Sequence, residues 1–464
     1  MQALTNVFKY HKIPLLFMLL SSIFYLSFAY DLVRTDVTKL VLLYVALFVF
    51  GFQIIKISGF RLLAISAIVF RVLFLFAIPN LSQDFYRFIW DGQMIMIGFN
   101  PYLSTPDFQM EMGILSGFPN QVELYNGMGA LSASHYTNYP PLKQLCFVIG
   151  NLFPGHSILS SVIGMRLLII AADIGTLYFG KKLLDRLKLP SKRIFWYILN
   201  PFIIIELTGN LHFEGIMIFF LVWSLYLLHA GKWKWAAVVL ACSISVKLIP
   251  LMFLPLFFGW FTSTTLSERK EKRNLFKLIL FYTFIVGTVL LFFLPFFSME
   301  FVNNYAKTMG LWFGNFEFNA SIYYLARAIG YAITGYNEIA VIGKVLPAIT
   351  VLIILGLAFF KRNNSLPKLI TSMVLVLSCY LFLSTTVHPW YIAPLVLFGV
   401  FTNYKFPLVW SLVVILSYLA YSNTDNSENL WIIALEYGVV LSFFIWEVFI
   451  KKRLPVTQQS NVII

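Results

Sequence analysis

Cysteine and charge are the scarce ingredients of this chain. Three cysteines, Cys146, Cys242 and Cys379, stand singly in apolar segments among 464 residues. With no metal-ligand spacing they read as packing residues, and a disulfide framework is not expected. Charged residues make up 12% of the sequence, against 59% hydrophobic and 18% aromatic. A soluble domain of this size has no use for so much apolar surface, so the expected solvent is a lipid bilayer. Acidic residues are scarcer than basic ones, 20 against 34, for a net charge of +14. That excess does not mark a nucleic-acid binder. Most basic residues fall in short loops between apolar runs, where they act as an orientation signal. No glycine-rich phosphate loop follows a predicted strand, which argues against a nucleotide-binding fold. No internal repeat, lipidation motif or soluble domain is visible.

What remains is apolar and helical. Fourteen windows are predicted to span: 13–30, 38–56, 61–79, 158–180, 195–209, 213–229, 234–246, 248–261, 276–297, 338–360, 369–386, 390–402, 406–422 and 429–449. The first, with Phe8-Lys-Tyr-His-Lys12 before it, has the form of a signal peptide, but the spans that follow argue for a retained helix. The expected fold is an all-α polytopic membrane protein of about 11–14 transmembrane helices. Both termini are placed in the cytoplasm, with Lys451-Lys-Arg453 confirming the sense. Two long loops then face outward. The first, 80–157, ends in an apolar helix at 142–153 that is too short to span and is expected to half-insert. The second is 298–337. Inside loops such as 267–274 are short and charged, so any chemistry is expected to face outward.

The densest stretch is Asn80 to Tyr102, which follows the third apolar run directly. Phe85, Phe88, Ile89, Ile95 and Ile97 give it one oily face, as in a helix lying along the membrane surface. Asp84 stands at the start of that helix, either as a general base toward a hydroxyl or as a solvated helix cap. Arg87 and Asp91, four apart, are expected to pair. Tyr139-Pro-Pro-Leu-Lys143 opens the half-inserted helix; Tyr136, Tyr139 and Lys143 read as a cavity mouth or as an interfacial anchor. Arg166 and Asp173 share one face of a span, and an ion pair with another span is expected. His212 and Glu214, in Asn210-Leu-His-Phe-Glu214, read as an acid/base pair, a weak metal site or a plain loop pair. Lys247 breaks the positive-inside trend between two short spans and reads as an anion-binding point. His388, Trp390 and Tyr391 suit a sugar or phosphate pocket, or an aromatic interfacial belt.

Ser82-Gln-Asp-Phe-Tyr-Arg-Phe-Ile-Trp-Asp-Gly92, Gly98-Phe-Asn-Pro-Tyr102, Tyr139-Pro-Pro-Leu142, Asn210-Leu-His-Phe-Glu214, Lys247-Leu-Ile-Pro250 and His388-Pro-Trp-Tyr391 together resemble the signatures of membrane-embedded GT-C glycosyltransferases. The nearest in kind are bacterial polyprenol-phosphate-mannose-dependent mannosyltransferases and the enzyme that starts the GPI-anchor mannose chain. The motif order agrees from residue 82 to 391. The resemblance implies a GT-C-like bundle with outward-facing juxtamembrane helices in the first large loop. It implies inverting transfer of a hexose, commonly mannose, from a polyprenyl-phosphate sugar to an acceptor hydroxyl outside the cytoplasm. The family's catalytic aspartate falls on Asp84, and its phosphate-binding lysine on Lys247.

Such a reaction needs a base, a cation for the departing phosphate and a shaped sugar pocket. Asp84, with Asp91 and Glu214 behind it, is expected to supply the base, and Lys247 with Arg87 or Arg166 the cation. Tyr102, Tyr139, His212, His388, Trp390 and Tyr391 are the expected pocket. Gln83 stands where many members of the family carry a second acid, so a divalent metal stays open and no cofactor is required. The expected partners are a polyprenyl-phosphate sugar donor, a lipid-linked or glycan acceptor and the bilayer of a bacterial inner membrane, with no nucleic acid. A transporter or flippase of a lipid-linked sugar would show internal repeats. A non-catalytic assembly partner would tolerate loss of Asp84.

Overall fold

Long apolar runs must satisfy their backbone groups internally once water is gone, and helices are the way to do it. The computed structural model describes residues 12–114, 119–262, 274–314, 316–423, 425 and 427–451. Lys9, the basic stretch 263–273 and Lys452 and Arg453 lie outside the described residues. Within them the regular structure is helical; one isolated parallel bridge, Phe318 to Thr386, stands in place of any strand. The protein is an all-α polytopic membrane protein.

Seven helices among the described residues are long and apolar enough to cross a bilayer. They are α1 (Lys12–Tyr30), α2 (Val37–Ile57), α6 (Ile158–Arg186), α9 (Ile339–Phe359), α10 (Leu366–Leu383), Leu275–Phe296 and Leu430–Ile450. Pro201–Gly209 and Glu214–His229 (α7) would make an eighth span, bent by 115° at the break. Four other expected windows are shorter apolar helices: Trp233–Val246 (α8), Ile249–Thr262, Pro389–Phe401 and Phe406–Ser422.

The run 61–79 does not cross as one helix. Helix α3 (Phe60–Val72) ends early and gives way to tight turns, Phe74 N–H to Arg71 O and Leu75 N–H to Val72 O, while Arg71 points into the protein. Its Nε donates to Asp173 Oδ2 at 2.7 Å and its Nη1 to Ile198 O at 2.8 Å, with both charged side chains 2% exposed. Asp173 therefore has the inter-helix partner expected of it.

The first long loop is built around α4 (Asp84–Met96) and α5 (Pro141–Asn151). A Cβ on Gly92 would come within 2.2 Å of Asn151 Nδ2 and 2.9 Å of Phe147 O, so only glycine lets these helices meet. Phe88 stacks on Phe147 at 4.6 Å, and Asn151 donates to Ile89 O at 3.1 Å. The oily face of α4 is therefore covered by protein where lipid was expected: Phe85, Phe88 and Ile89 are buried. Amphipathic spacing marks a face that avoids water, and it is blind to what covers that face. Ser161 Oγ then ties α5 to α6 through Asn151 Oδ1 at 2.7 Å.

The second loop carries helices Met299–Gly314 and Ile322–Thr334. It is fastened to the first by Asn304 to Tyr102 O and Tyr305 to Asn138 O, and Asn100 bonds Phe296 O at the end of the preceding span, each at 3.1 Å.

Candidate functional site

A cavity of about 630 Å³ opens where the start of α4, the start of α5, the 210–214 break, the α8 end and the 384–391 segment converge. Asp84 is the only carboxylate among the described residues that line it. Helix α4 starts at this residue because Ser82 Oγ accepts the Asp84 N–H at 3.3 Å, and no side chain at the preceding position caps it. Ser82 thus does the local work, and the Asp84 carboxylate is left to face the cavity with no ion pair among the described residues. Burial raises its pKa above the usual carboxylate range, against the pull of Lys143 and Lys247, with Glu214 pushing the same way as burial.

Arg87 and Asp91 form the expected pair, Nε to Oδ1 at 2.7 Å and both buried. Asp91 also accepts from Gln144 at 3.0 Å, and Arg87 donates to Ser132 O and His135 O. These two hold the loop together, and Asp91 does not line the cavity.

The two lysines differ. Lys247 sits in extended backbone at the C-cap of α8, where the chain leaves one short helix for Ile249-Pro250. Its Nζ meets Glu214 Oε1 at 2.5 Å and lies 4.7 Å over the Tyr391 ring. Burial pushes the Lys247 pKa down, but Glu214, together with Tyr391 and Asp84, holds it above the usual value. Lys143, 3% exposed, has no carboxylate partner among the described residues. Its ammonium lies 4.1 Å from the Tyr139 ring centre and 4.6 Å from that of Phe88, with Phe213 and Phe147 further out. Burial, and then the charge of Lys247, push it down to about 7 despite Glu214 and Asp84.

A column of four rings forms another wall. His212 lies 3.6 Å from Trp390, Trp390 4.7 Å from His388 and His388 5.3 Å from Phe318, all stacked. Burial and Lys247 push His388 down to about 3, so its ring is neutral, and its buried Nδ1 has no hydrogen-bond partner among the described residues. Phe318 is positioned from the second loop by paired backbone bonds to Thr385 and Val387, at 3.1 and 2.9 Å.

Arg166 and Tyr102 lie away from the cavity lining. The Arg166 guanidinium donates to Thr208 O, Gly209 O and Leu75 O at 2.8, 2.9 and 3.0 Å. The first two of these carbonyls terminate a π-helical turn, Ile204–Gly209, whose intrahelical partners are lost at the bend. Leu211 follows at φ 60°, in the left-handed region. Arg166 thus stabilises the break that delivers His212 and Glu214, and it makes no ion pair among the described residues. Replacing Arg166 by methionine is expected to cost roughly 1–3 kcal/mol per stranded carbonyl. Thermal unfolding in detergent, with faster hydrogen exchange at 210–215, would register it; an unchanged midpoint would refute the role. Tyr102 donates to Tyr139 O at 2.5 Å and is edge-on to Phe296 and Phe301, so it ties the two long loops together.

Of the expected site residues, the cavity gathers Asp84, Arg87, Tyr139, His212, Lys247, His388, Trp390 and Tyr391. Glu214 stands behind Lys247. Arg34, Tyr380, Tyr418 and Tyr421 also line it and carry no sequence signal, since each sits in an ordinary loop or apolar run. Among the described residues no group of three or more His, Cys, Asp or Glu could hold a metal ion.

Residues 18–264 match a family model described as alpha-(1->6)-mannopyranosyltransferase, N-terminal domain, more than half of the 464 residues. The match takes in Asp84, Lys143, His212 and Lys247 and stops short of the 388–391 wall. Alpha-(1->6)-mannopyranosyltransferase A of Mycobacterium tuberculosis (strain ATCC 25618 / H37Rv) is 22% identical over 200 residues, which cover 43% of this chain and 36% of that protein. The alignment thus spans little more than a third of the relative's length.

Proposed function

The chain belongs to the alpha-(1->6)-mannopyranosyltransferase family, and on that premise we propose that it transfers mannose, with inversion, from a polyprenyl phosphate to an acceptor hydroxyl on the outer face of the membrane. The cavity itself carries this reading. Beside Asp84 and the two lysines it runs along Leu248, Leu251 and Met252 to Pro347 of α9 and Leu383 of α10. A reaction chamber continuous with apolar walls on membrane helices suits a donor whose sugar phosphate ends in a hydrocarbon chain.

In the proposed step Asp84 takes the proton of the acceptor hydroxyl, whose oxygen attacks the anomeric carbon. The bond from that carbon to the phosphate oxygen breaks, and the polyprenyl phosphate leaves with the electron pair. Lys143 and Lys247 lie near the negative charge that develops. Phosphate is already a good leaving group, so no acid is required on that side. An α-linked product formed by inversion requires a β-linked donor. The ring column offers the sugar a flat wall and a neutral His388.

The test is transfer by purified protein from radiolabelled polyprenyl-phosphate mannose and, separately, from GDP-mannose. Transfer from the lipid donor alone is expected. Equal transfer from the soluble donor would overturn the reading, because nothing would then require the apolar wall. In sealed vesicles of known orientation, product on the outer side would support the sidedness read from the basic loops.

A further inference from the structure

The cavity holds one more cation, contributed by the loop between α1 and α2. The Arg34 guanidinium lies 4.2 Å over the Tyr421 ring. Its one hydrogen bond is a long 3.5 Å contact with Leu81 O, and no carboxylate lies within ion-pair distance of it among the described residues. The other cations of the cavity are accounted for: Arg87 is bound by Asp91, Lys247 by Glu214, and Lys143 lies against the aromatic rings on the donor side.

Arg34 is also held in place. Asn80, four residues before Asp84, donates to Phe28 O at 2.7 Å and Leu32 O at 3.1 Å, fixing the loop to the segment that carries the base. Tyr30 adds a bond to Leu73 O at 2.9 Å. Tyr421 lies within electrostatic reach of both Arg34 and Asp84. Arg34 thus lines the cavity among different neighbours, Leu81 and Tyr421, from those of the lysines, Glu214, Tyr391 and Tyr139.

We infer that Arg34, laid over Tyr421 in the cavity that holds Asp84, is an acceptor subsite, and that it takes a phosphate group carried by the glycan acceptor. A guanidinium fork matches two phosphate oxygens at once, and its delocalised charge tolerates partial burial. Tyr421 lines the cavity beside it, with its ring holding the guanidinium in place. The inference rests on the proposed transfer reaction.

Kinetics with polyprenyl-phosphate mannose as donor and three synthetic acceptors test it. These are octyl α-mannoside, the same mannoside with a phosphodiester between sugar and octyl chain, and a short-chain phosphodiester that cannot enter a bilayer. Wild type is expected to favour the phosphodiesters in KM by roughly 10- to 100-fold, the worth of a charge-assisted hydrogen bond. In Arg34→Gln that preference should collapse toward one, and Arg34→Lys should recover part of it. Should Arg34→Gln fail to fold, Tyr421→Leu, which removes the ring under the guanidinium, must lower the same preference. Equal preference for the short-chain and octyl phosphodiesters would identify the phosphate itself as the ligand; preference for the octyl form would identify a lipid headgroup. Wild-type transfer with no preference for phosphate overturns this inference alone. So does an Arg34→Gln defect in donor KM, which would put Arg34 on the donor side. No transfer from the lipid donor at all overturns the proposed function, and the subsite with it.

Discussion

Asp84→Asn should lower the rate of sugar transfer by about 10²- to 10⁴-fold, the usual worth of a positioned general base, while the protein folds and inserts as before. The amide keeps the shape of the carboxylate and removes its basicity. No ion pair is broken, because the carboxylate makes none among the described residues. The change in stability should therefore stay within about 1 kcal/mol, as thermal unfolding in detergent would show. The pH profile adds a second readout. Asp84 works only when deprotonated, and burial raises its pKa above the ordinary carboxylate value. Transfer by wild type should fall as pH drops through that raised value, and the slow residual transfer by Asp84→Asn should lose this acid limb. A variant as fast as wild type would remove Asp84 from the chemistry. Asp91 could not easily replace it, since Arg87 and Gln144 already occupy its oxygens.

The two lysines should separate activity from stability. Lys143→Met replaces a buried, unpaired ammonium with an apolar chain of similar length among aromatic rings. Stability should hold or rise, while kcat/KM falls by about 10²- to 10³-fold if the ammonium faces the departing phosphate. Lys247→Met strands Glu214, which is 1% exposed, and breaking such a pair typically costs about 3–5 kcal/mol. Adding Glu214→Gln should restore much of that stability without restoring transfer. Lys143 also has a pH signature. Pushed down to about 7 by burial, it is charged below that value and neutral above it. The kcat/KM of wild type, which reports the free enzyme, should therefore decline as pH rises through about 7, and Lys143→Met should lack that alkaline limb. Equal loss of stability in both lysine variants would show that Lys143 is as structural as Lys247.

Local features were the legible ones. The helix start at Asp84, the Arg87–Asp91 pair and the break at 210–214 all follow from spacing within a few turns, and the structure has each of them. Partners far apart in sequence were not legible. Arg166 was expected to find a carboxylate, and it binds carbonyls some 42 residues on, because a bent helix leaves acceptors that no composition rule reveals. Lys247 drew attention by breaking a charge trend. Its partner Glu214, 33 residues before it, was read separately as a base. Lys143 reads as part of a cavity mouth or as an interfacial anchor, and the structure puts it in the cavity lining; its isolation appears only when Phe88, Tyr139, Phe147 and Phe213 close around it. Arg34 gave no signal, as its neighbours Leu81 and Tyr421 come from remote parts of the chain. The windows 61–79 and 195–209 were long enough in composition to span; the first gives way to turns after Val72, and the second is interrupted at Asn200-Pro201.

The buried pair of Arg71 and Asp173 has a consequence for how the molecule is made. Its members are 102 residues apart. At an elongation rate of about 5–20 residues per second the ribosome needs roughly 5–20 s to get from one to the other. In that interval the guanidinium has no counter-ion, and seating it at mid-bilayer would cost about 2.5–3.5 kcal/mol. Helix α3 therefore has reason to wait at the interface until α6 emerges. Everything synthesised during the wait belongs to the first long loop and the start of α6, and that includes Asp84 and Lys143. The ion pair thus acts as a latch that closes behind the reaction chamber, after its base and its lone ammonium have already been delivered.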